Sequence, residues 1–167
     1  MLVLIVEDEP LIAVSLELEL ELAGHEVLGP ADDPEHALRL AAEHRPDVAL
    51  VDIGLHDSTL GVELARFLRS QYDVAVLFVT MTREVALENK DAALGVISKP
   101  FDPDEVPESV EIARAVKLGT YPLPKSLPSS LELFPTSAQK RVPDRRRFEF
   151  QSIADARSAS VATRSGH

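Results

Sequence analysis

Cysteine is absent from the 167 residues, which excludes disulfides, thiolate metal sites and cysteine nucleophiles and fits a reducing compartment. Long apolar runs are missing too. Stretches such as Val74 to Val79 fall far short of the roughly 20 residues a membrane span needs. No basic segment precedes the first strand at Leu2, so no secretory signal is expected and a cytoplasmic location is. Positive charge is scarce where it would matter for nucleic acid. Residues 1 to 119 carry 9 basic and 24 acidic groups, and residues 120 to 167 carry 8 and 4, within a net charge of -11. An acidic globular part is a poor binder of phosphate backbones. No internal repeat and no helix-turn-helix module is evident. The length suits one domain of roughly 100 to 150 residues with a remainder.

What is present begins with Val3 to Asp8, Val-Leu-Ile-Val-Glu-Asp. A short apolar run ending on adjacent carboxylates reads as a buried strand that delivers charge to its C-terminal end. Val48 to Val51 runs into Asp52 and Val74 to Val79 runs into Thr80 in the same way, and open parallel sheets place their ligand crevice at such ends. Between the strands the pattern turns helical. Pro10 suits a first turn and Gly24 a stop, giving a helix over about Pro10 to Ala23 despite the strict alternation of Leu16 to Leu22, because Leu, Glu and Ala are strong helix formers. Ile12, Leu16, Leu20 and Ala23 share one face. Leu11, Leu18 and Leu22 form a second strip, which either packs deep on the sheet or offers a docking surface to a partner helix.

The rest of the chain repeats the alternation. A strand over His25 to Gly29 leads to a helix capped by Asp32 or Asp33 and ending before Arg45-Pro46. The third strand is Asp47 to Val51. Thr59 to Ser70 is helical with Leu60, Leu64, Phe67 and Leu68 inward, and Ala75 to Val79 is the fourth strand. Thr82 to Ala92 has few apolar positions, so its helix should be short and mobile. Leu94 to Ser98 is the fifth strand, and Asp102 to Glu105 reads as a capping box for a helix to about Leu118, stopped by Gly119, with Pro107 forcing a late start or a kink. After Thr120, prolines at 122, 124, 128, 135 and 143 and many serines read as a flexible tail with one basic cluster, Arg145 to Arg147. The expected fold is α/β: a doubly wound, five-stranded parallel sheet of order 2-1-3-4-5 with helices on both faces over residues 1–119, followed by a tail over 120–167.

In that sheet the first and third strands are neighbours, so Glu7, Asp8 and Asp52 crowd together. Three carboxylates in a small volume require protons or a hard cation, and an oxygen-only set suits Mg²⁺. Thr80 and Lys99 arrive on adjacent strand ends, supplying a hydroxyl or backbone donor and a fixed positive charge of the kind a transferring phosphoryl group needs. Asp52, central among them, is the best nucleophile, and its product would be an aspartyl phosphate.

These residues, Val-Glu7-Asp8-Glu-Pro10, Val-Asp52-Ile, Phe-Val-Thr80 and Lys99-Pro100-Phe101, resemble the receiver domain of two-component response regulators, in the right order and over about residues 1 to 119. The resemblance implies that Asp52 accepts phosphate from a histidine kinase or a histidine phosphotransfer protein. It implies that Asp8, Glu7, Asp52 and the backbone carbonyl of Gly54 hold Mg²⁺, that Thr80 swings toward the phosphoryl group and that Lys99 pairs with it. A stand-alone receiver of this type signals through protein contacts, has no enzymatic activity beyond its own phosphotransfer and slow dephosphorylation, takes its phosphodonor near Leu11, Leu18 and Leu22, and in relatives can form a homodimer through the fourth and fifth helices. Two departures stand out. Val96 replaces the usual aromatic three positions before the lysine, and Met81 follows Thr80 where small residues are common. A pseudo-receiver that works without phosphorylation is the alternative, and a metal-dependent phosphohydrolase using His56 or Asp57 as acid/base is a third reading.

Overall fold

The computed structural model describes residues 1–55, 58–120 and 122–135. Strands β1 (Leu2–Val6), β2 (Glu26–Ala31), β3 (Val48–Asp52), β4 (Ala75–Thr80) and β5 (Gly95–Ser98) alternate with helices α1 (Pro10–Leu22), α2 (Pro34–His44), α3 (Ser58–Tyr72), α4 (Arg83–Glu88) and α5 (Val106–Leu118). The first five strands are parallel in the order β2-β1-β3-β4-β5, the doubly wound arrangement expected. β3 and β4 are buried along their whole length, as central strands covered on both faces must be. β2, which contains Pro30, lies at the edge, where a missing backbone donor costs least.

Two apolar layers flank the sheet. Leu16 and Leu20 of α1 and Val110, Ile112 and Ala113 of α5 pack with Val3, Ile5, Leu50, Leu77 and Ile97 on one face. Leu38 of α2 and Leu64, Phe67 and Leu68 of α3 pack with Leu4, Val51, Val76 and Phe78 on the other. Leu60, expected inward, is 37% exposed, and Val62 and Ala65 take the inner positions instead. The α3 stripe is therefore rotated from the one inferred from leucine and phenylalanine alone.

The helix ends follow local chemistry. Asp33 caps α2, its Oδ1 accepting from the His36 backbone N–H at 2.7 Å. Gly119 stops α5 in the left-handed region at φ 67°. The capping box expected at Asp102 does not form. Pro103–Glu105 is a short 3₁₀ turn without a side-chain cap, and α5 begins late, at Val106, with proline in its first turn. α4 spans only six residues. Arg66 of α3 binds Asp91 and Asn89, which fixes the segment between α4 and β5.

One correction concerns the stretch read as tail. Leu131–Leu133 forms a sixth strand, β6, antiparallel to β5, so among the described residues the sheet is six-stranded and extends beyond residue 119. Leu131 and Phe134 are buried, one in each apolar layer. The Arg145 to Arg147 cluster lies outside the described residues.

Candidate functional site

The C-terminal ends of β1, β3, β4 and β5 bring the predicted residues together, because parallel strands all deliver their last residues to one edge. β1 ends at Val6 and the chain continues into Glu7 and Asp8, while α1 starts at Pro10 with Glu9 as its N-cap. β3 carries Asp52 as its last residue. β4 carries Thr80, which stands opposite Ser98 of β5, and Lys99 follows directly. Carboxylate oxygens of Glu7, Asp8 and Asp52 all lie within 4.8 Å of one another.

Lys99 is the pivot of the geometry. Its Nζ donates to Asp52 Oδ2 at 2.8 Å and lies 2.9 Å from Glu7 Oε2 and 3.6 Å from Glu9 Oε1. The Glu7 contact is an ion pair rather than a well-directed bond, since no hydrogen bond among the described residues reaches Glu7 Oε2, a fully buried atom. Asp52 Oδ1 in turn accepts from the Gly54 backbone N–H at 2.7 Å. Both Asp52 oxygens are thus held in fixed directions.

The electrostatics follow from burial. Glu7 and Asp52 are 3% and 6% exposed. Burial first, and the neighbouring Asp52 charge second, push the Glu7 carboxyl up to about 7, against the opposing pull of Lys99. Burial alone would lower the Lys99 ammonium, but its contacts with the Asp52 and Glu7 carboxylates outweigh that and hold it above the usual lysine range. One buried cation therefore faces more carboxylate than it can neutralise. The Glu7 oxygen without a directed bond, beside Asp8 and Asp52, fits a hard divalent cation, and these three residues would hold Mg²⁺.

Thr80 is buried, and its Oγ1 bonds the hydroxyl and the backbone N–H of Thr82, each at 3.0 Å. Met81 between them is 76% exposed. Val96, three positions before Lys99, is buried in the sheet. Three contributors were missed in the sequence. Glu9 adds a further carboxylate near Lys99, Thr82 anchors Thr80, and Gly61 lets α3 approach, since a Cβ there would sit 2.8 Å from the Asp52 carbonyl. Only the run Glu7-Asp-Glu9 carried a signal, as three consecutive acids. His56 and Asp57 lie outside the described residues. On α1 itself, Leu11, Leu18 and Leu22 are 87%, 52% and 72% exposed, joined by Val14 at 59%. The leucine strip is therefore solvent-facing and does not pack on the sheet.

A six-stranded sheet with a lysine-bridged acidic crevice at its carboxyl edge defines a receiver-type α/β module. Residues 3–111 match the response regulator receiver domain, and the chain belongs to that family. It is 40% identical over 107 residues to the phyllosphere-induced regulator PhyR of Methylorubrum extorquens, covering 62% of this chain and 40% of that protein. It is 36% identical over 111 residues to the transcriptional regulatory protein PhoP of Escherichia coli K12, covering 64% of this chain and 48% of that protein. The chain thus spans less than half the length of these curated relatives. Among solved structures, the signal receiver domain of a modulated diguanylate cyclase from Desulfovibrio desulfuricans G20 is similar at TM-score 0.64 and 37% identity, covering 72% of this chain and 98% of that one. The response regulator PhyR from Brucella abortus is similar at TM-score 0.58 and 32% identity, covering 71% and 48%. No described helix is long and apolar enough to cross a membrane.

Proposed function

We propose that the chain is a phospho-accepting receiver in which Asp52 takes a phosphoryl group from a histidine kinase or a histidine phosphotransfer protein and passes the signal on through protein contacts. The observation that carries this reading is Lys99 Nζ, buried and 2.8 Å from Asp52 Oδ2, in a crevice with Glu7 and Asp8. In the transfer, an Asp52 oxygen attacks phosphorus as the bond from phosphorus to the donor imidazole nitrogen breaks, and the imidazole departs with the bonding pair. Mg²⁺ held by Glu7, Asp8, Asp52 and the Gly54 carbonyl would supply charge neutralisation for the phosphoryl oxygens. The Gly54 N–H and Lys99 orient the carboxylate for attack. Lys99 then offers its charge to the new phosphoryl oxygens, and Thr80, on exchanging its Thr82 bonds, offers a hydroxyl.

The exposed strip of Leu11, Leu18 and Leu22 begins one residue after Pro10, next to the acidic run, and suits an apolar phosphodonor helix. The reading makes the chain a signalling domain and not an enzyme acting on separate substrates. Incubation with Mg²⁺ and acetyl phosphate should add one phosphoryl group to the wild type and none to Asp52→Ala, as read by intact mass. Equal labelling of both would overturn the acceptor assignment. If no labelling occurs and Mg²⁺ changes no amide resonance, the chain is a pseudo-receiver.

A further inference from the structure

The segment over residues 129–134 is built as a strap across the β5 edge. Its backbone pairs Leu131 with Ile97, Glu132 with Val96 and Leu133 with Gly95. The approach is close enough that a Cβ on Gly95 would lie 2.5 Å from the Glu132 carbonyl oxygen, so glycine at 95 is what lets the strap seat. Leu131 and Phe134 plug one apolar layer each. At one end, the Glu105 carboxylate accepts from the backbone N–H and hydroxyl of both Ser129 and Ser130, at 2.9 to 3.2 Å. In the middle, Glu132 pairs with Arg83 of α4 at 2.8 Å.

The strap also touches the two chain segments that carry polar groups of the crevice. The Ser98 N–H donates to Ser130 O at 3.1 Å, one residue before Lys99, whose own N–H donates to Thr80 O at 2.8 Å. Arg83, the strap's ion-pair partner, follows Thr82, the residue that holds the Thr80 hydroxyl. Any shift of Thr80 away from Thr82, or of Lys99 toward a new anion, therefore pulls on a neighbour that the strap grips. A three-pair ladder with two buried side chains is also a small gain against the ordering of its own residues, so the docked state is poised.

We propose that residues 129–134 are a releasable strap whose docking on β5 competes with occupation of the crevice, so that phosphorylation loosens the strap and loosening the strap favours phosphorylation. This rests on the acceptor role of Asp52. At phosphotransfer equilibrium, linkage makes the two effects equal in size. Release would bare the β5 edge at Gly95 and the sockets of Leu131 and Phe134, changing the surface beside α4 without any change in the central strands.

The test is amide hydrogen exchange on the full chain with Mg²⁺, with and without acetyl phosphate, with intact mass taken on the same samples. Expected in the phosphorylated chain is faster exchange at the Ser98 and Phe134 N–H groups, which donate to Ser130 O and Leu94 O, with the β3 amides unchanged. Glu132→Gln, which breaks the half-exposed Arg83 pair, should speed the same two amides without acetyl phosphate. It should also raise the ratio of phosphorylated to unphosphorylated chain about fivefold, the lower end of ordinary coupling. Full phosphorylation with unchanged Ser98 and Phe134 exchange overturns the strap. So does a loosened strap in Glu132→Gln with no gain in phosphorylation. Failure to acquire a phosphoryl group at all overturns the acceptor reading and the coupling with it, and the mass alone tells these cases apart.

Discussion

Glu7 is the residue at which pH and a bound metal would act together. Its carboxyl is raised from 4.5 to about 7 in the fold, so the folded state favours the protonated form. The stabilising contribution of that proton is full below about pH 4.5 and is lost as pH rises through about 7. Glu7→Gln should therefore melt higher than the wild type in EDTA at pH 8, with the gap closing toward pH 5, as followed by thermal denaturation. Because a metal needs the ionised carboxylate, Mg²⁺ affinity should fall about tenfold per pH unit below about 7, measurable by Mg²⁺ titration of amide shifts, and Glu7→Gln should flatten that slope. Lys99 acts on the other side of the same balance. Lys99→Met removes the cation that touches both Asp52 and Glu7, and phosphoryl transfer from acetyl phosphate should slow about 10²-fold or more. Glu7, Asp8, Asp52, Thr80 and Lys99 were all legible because each stands at or just past the carboxyl end of an apolar run, a position that open parallel sheets turn into one crevice. Glu9, Thr82 and Gly61 were not, since their roles depend on which way a turn brings a side chain or a backbone, and spacing alone does not encode that.

At the level of elements, α1 separates burial from exposure on one helix. Leu16 and Leu20 are fully buried while Leu11 and Leu22 face solvent. Leu20→Ala should cost about 2 to 5 kcal/mol in denaturant unfolding, whereas Leu11→Gln and Leu22→Gln should change stability by about 0.5 kcal/mol or less and instead weaken acceptance from a protein phosphodonor, with acetyl phosphate labelling intact. The parallel strands and the four longer helices could be read from periodicity and punctuation, including the late start of α5 forced by Pro107. β6 could not. The three residues of β6 are too few to show a period, and what holds them is remote in sequence: Gly95, which leaves room, and Glu105, whose carboxylate goes to two serines rather than to a cap. The same diversion explains why the Asp102 to Glu105 capping box was a false signal. The strict alternation across α1 did not mislead, because Leu, Glu and Ala are strong helix formers, but it hid which leucines would be left outside.

For the whole molecule, the family match ends at residue 111 and the apolar core does not, since Phe134 is 4% exposed within it. A chain cut after Gly119 should keep its central strands yet leave β5 as an open edge with two empty apolar sockets. Such edges pair with whatever extended segment is near, so the shortened chain should self-associate in sedimentation velocity at concentrations where the full chain does not. The strap also has a temporal meaning. Because β6 follows every other described strand in the chain, the β5 edge leaves the ribosome before the strap that covers it. A nascent chain folded as far as α5, with residues 129–134 still held back, would present the acidic crevice beside a bare edge and so sample the unstrapped surface before it meets a phosphodonor.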